Sequence, residues 1–204
     1  MFIGLIEEGN SHNLFKITKE LFNISGYSII FNCMDKVFAY SNNNNVLIVF
    51  DFIAEDLINQ SSTYFNFDIV VYSSINNDYQ DIAINLFKHS KVCIYNSDGE
   101  SMIPLLGNLE NVIAINYGFN NKASLTISNY NIDENIEANL CLQRDIMPFY
   151  DEKIEPFEFV LEINLSDEKI IYPVLAAATL NLIIGNSILN RKPFKNVSIN
   201  IKAE

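Results

Sequence analysis

The chain has 204 residues, 49% of them hydrophobic and 19% charged, and a formal net charge of −12. That length builds one α/β domain with a substantial core, is short for two, and the composition excludes a disordered chain. The negative charge repels nucleic acid and anionic membrane surfaces, so neither is an expected partner.

Phe2 to Ile6 reads as a short apolar strand. Asn13 to Phe22 follows with helical spacing, since Leu14, Ile17, Leu21 and Phe22 fall on one face, and Gly26 stops it. Tyr27 to Phe31 is the next strand, and Ser41 to Asn45 is a polar turn or loop. Val46 to Phe52 is apolar apart from Asp51, as a strand covered on both faces requires. Asp56 to Ser62 reads as short helix or loop and Phe67 to Tyr72 as a buried strand. Asp78 to His89 is helical, with Ile82, Leu86 and Phe87 inward. Lys91 to Tyr95 is a strand, Met102 to Leu109 a helical turn, and Val112 to Tyr117 a strand.

This alternation predicts a mostly parallel sheet flanked by helices. From Lys122 the texture changes. Ala123 to Ile127, Ile136 to Leu142 and Phe157 to Ile163 read as strands of a small antiparallel or mixed sheet. Pro173 opens a helix through Ile184 that stops at Gly185, and Val197 to Ile201 is a last strand. The expectation is a single α/β domain over 1–204, made of a parallel part (1–121), a small sheet (122–166) and a helix with a tail (167–204). The apolar run Val174 to Ile184 is too short to span a bilayer, and Met1 to Glu8 lacks the basic start of a signal peptide. Cys33, Cys93 and Cys141 lie in apolar segments without CxxC pairing, which suits reduced, buried thiols in a cytoplasmic protein.

The segment from Phe67 to Asp81 is the most informative. It resembles the "FD-apolar strand-TNI-x-x-DHLD" stretch of the Mur ligase family, with Phe67, Asp68, Ile75, Asp78 and Asp81 in register. Ile94-Tyr95-Asn96-Ser97-Asp98 resembles the family's "vlNaDD", and Ile115-Asn116-Tyr117-Gly118 its strand ending in "YG". Val174-Leu175-Ala176-Ala177-Ala178 with Ile184-Gly185 resembles its "NalAAia…lG" helix. Ile3-Gly4-Leu5-Ile6 and the helix from Leu14 resemble the elements that flank its phosphate loop. The resemblance is to the central, ATP-binding domain of that family and implies a mostly parallel sheet with a smaller sheet beside it. Neither the family's UDP-sugar-binding N-terminal domain nor its C-terminal domain is expected in this sequence.

The same resemblance locates what has been erased. The family's phosphate loop, G-T-x-G-K-T/S, cradles phosphate on backbone N–H groups, neutralises it with Lys and holds Mg²⁺ with a hydroxyl. Here the interval reads Glu7-Glu8-Gly9-Asn10-Ser11-His12, with Ser11 in place of the Lys and His12 in place of the hydroxyl residue. Each carboxylate near a phosphate costs about 4 kcal/mol at ~4 Å and an effective dielectric near ~20. Gly9, Asn10, Ser11 and His12 are thus the degenerate phosphate-loop positions, and Asp51 and Asp78 stand as vestigial metal ligands. Tyr79 replaces the family's metal-binding His, and Lys169-Ile170-Ile171-Tyr172-Pro173 replaces its adenine-side "HNxxN".

The expected function is a non-catalytic Mur ligase-like binding or regulatory module without cofactor, acting on a protein partner or a second copy of itself and linked to bacterial cell-wall or related metabolism. Two alternatives stand beside it. One is an amide-bond ligase using Mg-ATP at a rearranged or partner-completed site with Asp51, Asp78 and Asp81. The other is a small-molecule binder without nucleotide. His12 with Glu7, Glu8 and Asp51 lacks recognised metal-ligand spacing, and His89 reads as a surface residue at a helix end.

Overall fold

In a computed structural model, residues 1–34, 36–42, 45–58, 66–73, 79–99, 106–107, 109–133, 135–149, 152–164, 167–185 and 197–199 are described. The strands are β1 (Phe2–Glu7), β2 (Ser28–Cys33), β3 (Val37–Ser41), β4 (Val46–Ile53), β5 (Phe67–Ser73), β6 (Ser90–Asn96) and β7 (Ile113–Tyr117). β8 (Leu125–Ile132), β9 (Ile136–Leu142), β10 (Phe157–Ile163) and β11 (Val197–Ile199) complete them. The helices are α1 (Asn13–Ile24), α2 (Ala54–Leu57), α3 (Gln80–Lys88) and α4 (Ile171–Ile184), the last preceded by a 3₁₀ turn at Glu168–Ile170.

All eleven strands form one sheet in the order β11-β10-β9-β8-β7-β6-β5-β1-β4-β3-β2. β4, β1, β5, β6 and β7 are parallel, and β8 to β10 are antiparallel. The two parts join through one register pair, Tyr117 with Leu125. The antiparallel strands expected in the second half therefore continue the parallel sheet instead of standing beside it.

α1 and α4 cover one face of the sheet and pack against Leu5, Val71 and Ile94, while α2 and α3 cover the other against Ile6, Val70 and Cys93. α4 buries every residue except Tyr172, which its all-round apolar sequence demands. It starts at Ile171, two residues before the expected Pro173, because a proline in the first turn forfeits no helical hydrogen bond. Gly26 and Gly185 end α1 and α4 at φ +83° and +84°.

β3 was not expected. It is short and gains its order from antiparallel pairing with β4 and β2, which a local pattern does not reveal. β2 is the outer edge, exposed along its whole length, and the register slips between Ile29 and Phe31. An irregularity of that kind blunts an open edge. The helical turn expected at Met102 to Leu109 lies mostly outside the described residues, with only Leu106, Gly107 and Leu109 inside.

The cysteines separate by environment. Cys33 is exposed on β2, Cys93 is buried with its thiol pushed up to about 12 by desolvation, and Cys141 is half-buried and raised by desolvation and then Glu158. Since the thiolate is the reactive form, native protein is expected to give one fast thiol with an aromatic disulfide reagent, abolished by Cys33→Ser. Two or three fast thiols would contradict this burial pattern. Among the described residues, no helix is long and apolar enough to cross a membrane.

Candidate functional site

The C-terminal ends of β1 and β5 lie where open α/β sheets take ligands. β1 runs straight into the turn 8–12 and then α1, which is the interval where the sequence lacks a phosphate loop. In the structure that turn is closed by Glu7. Its Oε1 accepts the backbone N–H of Asn13 at 2.8 Å and the Ser11 hydroxyl at 2.6 Å, and its Oε2 accepts the N–H of Leu14 at 2.5 Å. Glu7 is only 5% exposed. The first amides of α1, the groups an anion would need, are therefore bound by the protein's own carboxylate.

The remaining loop residues support this arrangement. Gly9 stands at φ +74° and its N–H points to the Glu55 carboxylate, 3.2 Å from Oε1. Asn10 is exposed in the turn. His12 sits in the left-handed region at φ 51° directly before α1, and its carbonyl accepts the N–H of Lys16. Glu8 accepts the Tyr72 hydroxyl at 2.9 Å.

His12 is also tied to the one vestigial metal candidate that is described. Its Nδ1 and Asp51 Oδ2 form a hydrogen bond of 2.6 Å. Burial pushes the Asp51 carboxyl above its ordinary range, and the His12 hydrogen bond and charge pull it back. Asp51, inside β4 and 4% exposed, thus spends its interaction on the loop. Asp78 lies outside the described residues. Among the described residues, no group of three or more His, Cys, Asp or Glu side chains is arranged to hold a metal ion.

The loop forms one wall of a cleft of about 880 Å³. Glu55 of α2 and Ser73 at the end of β5 also line it, and Asp167 to Lys169, Tyr172 and Pro173 at the start of α4 face them. Beside it, Asp98 holds the turn after β7. Its Oδ2 accepts the N–H of Phe119 and the Tyr172 hydroxyl, and its Oδ1 accepts the N–H and the side-chain amide of Asn120. Burial, then the nearby Asp98, pushes the Tyr172 phenol up to about 12. The Asn96-Ser97-Asp98 and Tyr117-Gly118 motifs thus meet: a Cβ on Gly118 would sit 2.7 Å from Asp98 Oδ1.

Glu7 through His12 and Asp51 are legible in the sequence as candidate site residues, whereas Glu55, Ser73 and Glu168 are not. These arrive from three separate elements and share no spacing with the loop. An Mg-ATP site built on an open phosphate loop does not fit the residues present, because the α1 amides are engaged and no Lys stands in the loop.

The fold is α/β, a mostly parallel sheet flanked by helices with added antiparallel strands, and it is Mur ligase-like. The solved UDP-N-acetylmuramoylalanyl-D-glutamyl-2,6-diaminopimelate–D-alanyl-D-alanyl ligase from Acinetobacter baumannii matches 90% of this chain with a TM-score of 0.65 at 8% identity. MurF ligase from Thermotoga maritima, solved with ADP, matches 91% with a TM-score of 0.57 at 10% identity. A pseudomurein peptide ligase type C from Methanothermus fervidus matches 90% with a TM-score of 0.53 at 13% identity. The chain spans less than half of these proteins, 43%, 45% and 46% of their lengths. No protein-family model and no curated protein matches the sequence.

Proposed function

We propose that this chain is a non-catalytic Mur ligase-like domain that serves as a binding or regulatory module linked to cell-wall or related metabolism. The observation that carries this reading is the Glu7 carboxylate seated on the amides of Asn13 and Leu14. A polyphosphate arriving there would have to displace a bound carboxylate and then lie beside Glu8 and Glu55, which line the same cleft. It would find no loop Lys in exchange, and the N–H groups of Gly9, Asn13 and Leu14 already taken. An ATP-dependent ligase needs that exchange to be favourable.

Isothermal titration of the chain with Mg-ATP is expected to give no binding heat at a protein concentration of about 100 μM. A dissociation constant in the low micromolar range, roughly −8 kcal/mol, would overturn the proposal. The same titration in Glu7→Ala tests the cause, since vacating the amides restores the anion-binding character of a helix N-terminus.

A further inference from the structure

We propose that the cleft between the 8–12 turn and the start of α4 binds an organic polycation, a linear polyamine, through its ammonium groups. This deepens the binding-module reading and rests on it.

Three observations converge. The first is charge. Glu7, Glu8 and Glu55 line one side, Asp167 and Glu168 the other, and among the described lining residues Lys169 is the one basic side chain. Glu55, Asp167 and Glu168 accept hydrogen bonds from neutral donors, namely the Gly9 and Lys169 N–H groups and the Tyr130 hydroxyl. Among the described residues none of these three carboxylates forms an ion pair.

The second is Ser73. It is 7% exposed and lines the cleft, and among the described residues its hydroxyl oxygen accepts no hydrogen bond, its one hydroxyl neighbour being Tyr117. Its neighbour Tyr117 gives its own proton to the carbonyl of Tyr72. A buried hydroxyl left in this state favours a ligand that supplies a donor. An ammonium group carries three donors and no acceptor.

The third is shape. The carboxylates stand on two walls of a space of about 880 Å³, and no three of them converge as a metal centre requires among the described residues. Separated charges suit a ligand whose cationic groups are joined by a methylene chain. Tyr172 adds a half-buried aromatic ring to the wall, a surface that attracts ammonium ions.

The test is isothermal titration with spermidine at low salt, beside MgCl₂ at matched charge. Wild type is expected to bind spermidine at one site. Glu55→Gln with Glu168→Gln is expected to weaken that binding about tenfold, the sum of two exposed charge pairs. Both substitutions keep the acceptors used by Gly9 and Tyr130, so the unliganded melting temperature should not move. Ser73→Ala is expected to weaken binding without altering its salt dependence.

Silence towards both spermidine and Mg-ATP overturns the polyamine assignment and leaves the module reading intact. Binding of Mg-ATP overturns the module reading whatever spermidine does. Binding that Mg²⁺ reproduces at equal charge, that the double variant leaves unchanged, or that only a Lys-rich peptide gives, also overturns the polyamine assignment.

Discussion

Glu7→Ala should cost about 3 kcal/mol of stability, read as a fall in the urea midpoint at unchanged slope. Three donors lose their acceptor at once: the N–H groups of Asn13 and Leu14 and the Ser11 hydroxyl. Hydrogen bonds to a charged acceptor contribute roughly 1.5–3 kcal/mol each, and a helix N-cap about 0.5–2 kcal/mol in total. Partial replacement by water keeps the sum below simple addition. Glu7→Gln keeps one acceptor oxygen and should cost about half as much, since its amide then confronts an N–H donor. Acetate or sulfate should stabilise the Ala variant and leave wild type unmoved. At a ligand concentration about five times the dissociation constant that stabilisation is roughly 1 kcal/mol. An Ala variant that unfolds like wild type would mean that Glu7 does not hold the amides of α1, and would leave a silent nucleotide titration unexplained.

Gly118→Ala should cost about 3–5 kcal/mol. Two separate causes meet at this glycine. Its φ of +156° is one that L side chains rarely adopt, and its Cβ position lies 2.7 Å from Asp98 Oδ1. The strain alone is about 1–3 kcal/mol and overpacking adds a similar amount. The Asp98 carboxylate has little room to yield, because Phe119, Asn120 and Tyr172 hold both of its oxygens. In a chain of this size the loss corresponds to a melting temperature lowered by roughly 6–20 °C. A double-mutant cycle with Asp98→Ala separates the causes. The cost of Gly118→Ala should fall by about 1–2 kcal/mol once the carboxylate is gone, and the remainder is backbone strain. An equal cost in both backgrounds would mean that the close approach contributes nothing.

Both predictions concern residues whose importance was only partly legible in the sequence. The strands in the middle of the sheet read clearly because each is a continuous apolar run covered on both faces, as in β5 and β6. β9 and β10 read to the residue, because alternate side chains are buried. α1 read well from one apolar face. β3 did not, since five residues bounded by polar turns acquire their conformation from neighbours on either side.

The sequence by itself determined that this chain carries α/β periodicity and that the segment between its first strand and first helix has neither the Lys nor the glycines of a phosphate loop. Those are local properties, written in consecutive residues. Only the tertiary structure decided what the acidic replacements do. Whether Glu7 faces solvent, a ligand or the helix behind it depends on the path of the turn. That path is fixed by bonds to Glu55 and Asp51, 46 and 39 residues away along the chain. The cleft likewise exists only because the end of β5 and the start of α4, distant in sequence, are brought to the same end of the sheet. Periodicity reports which face of an element is buried, but it carries no information on which distant element will cover that face.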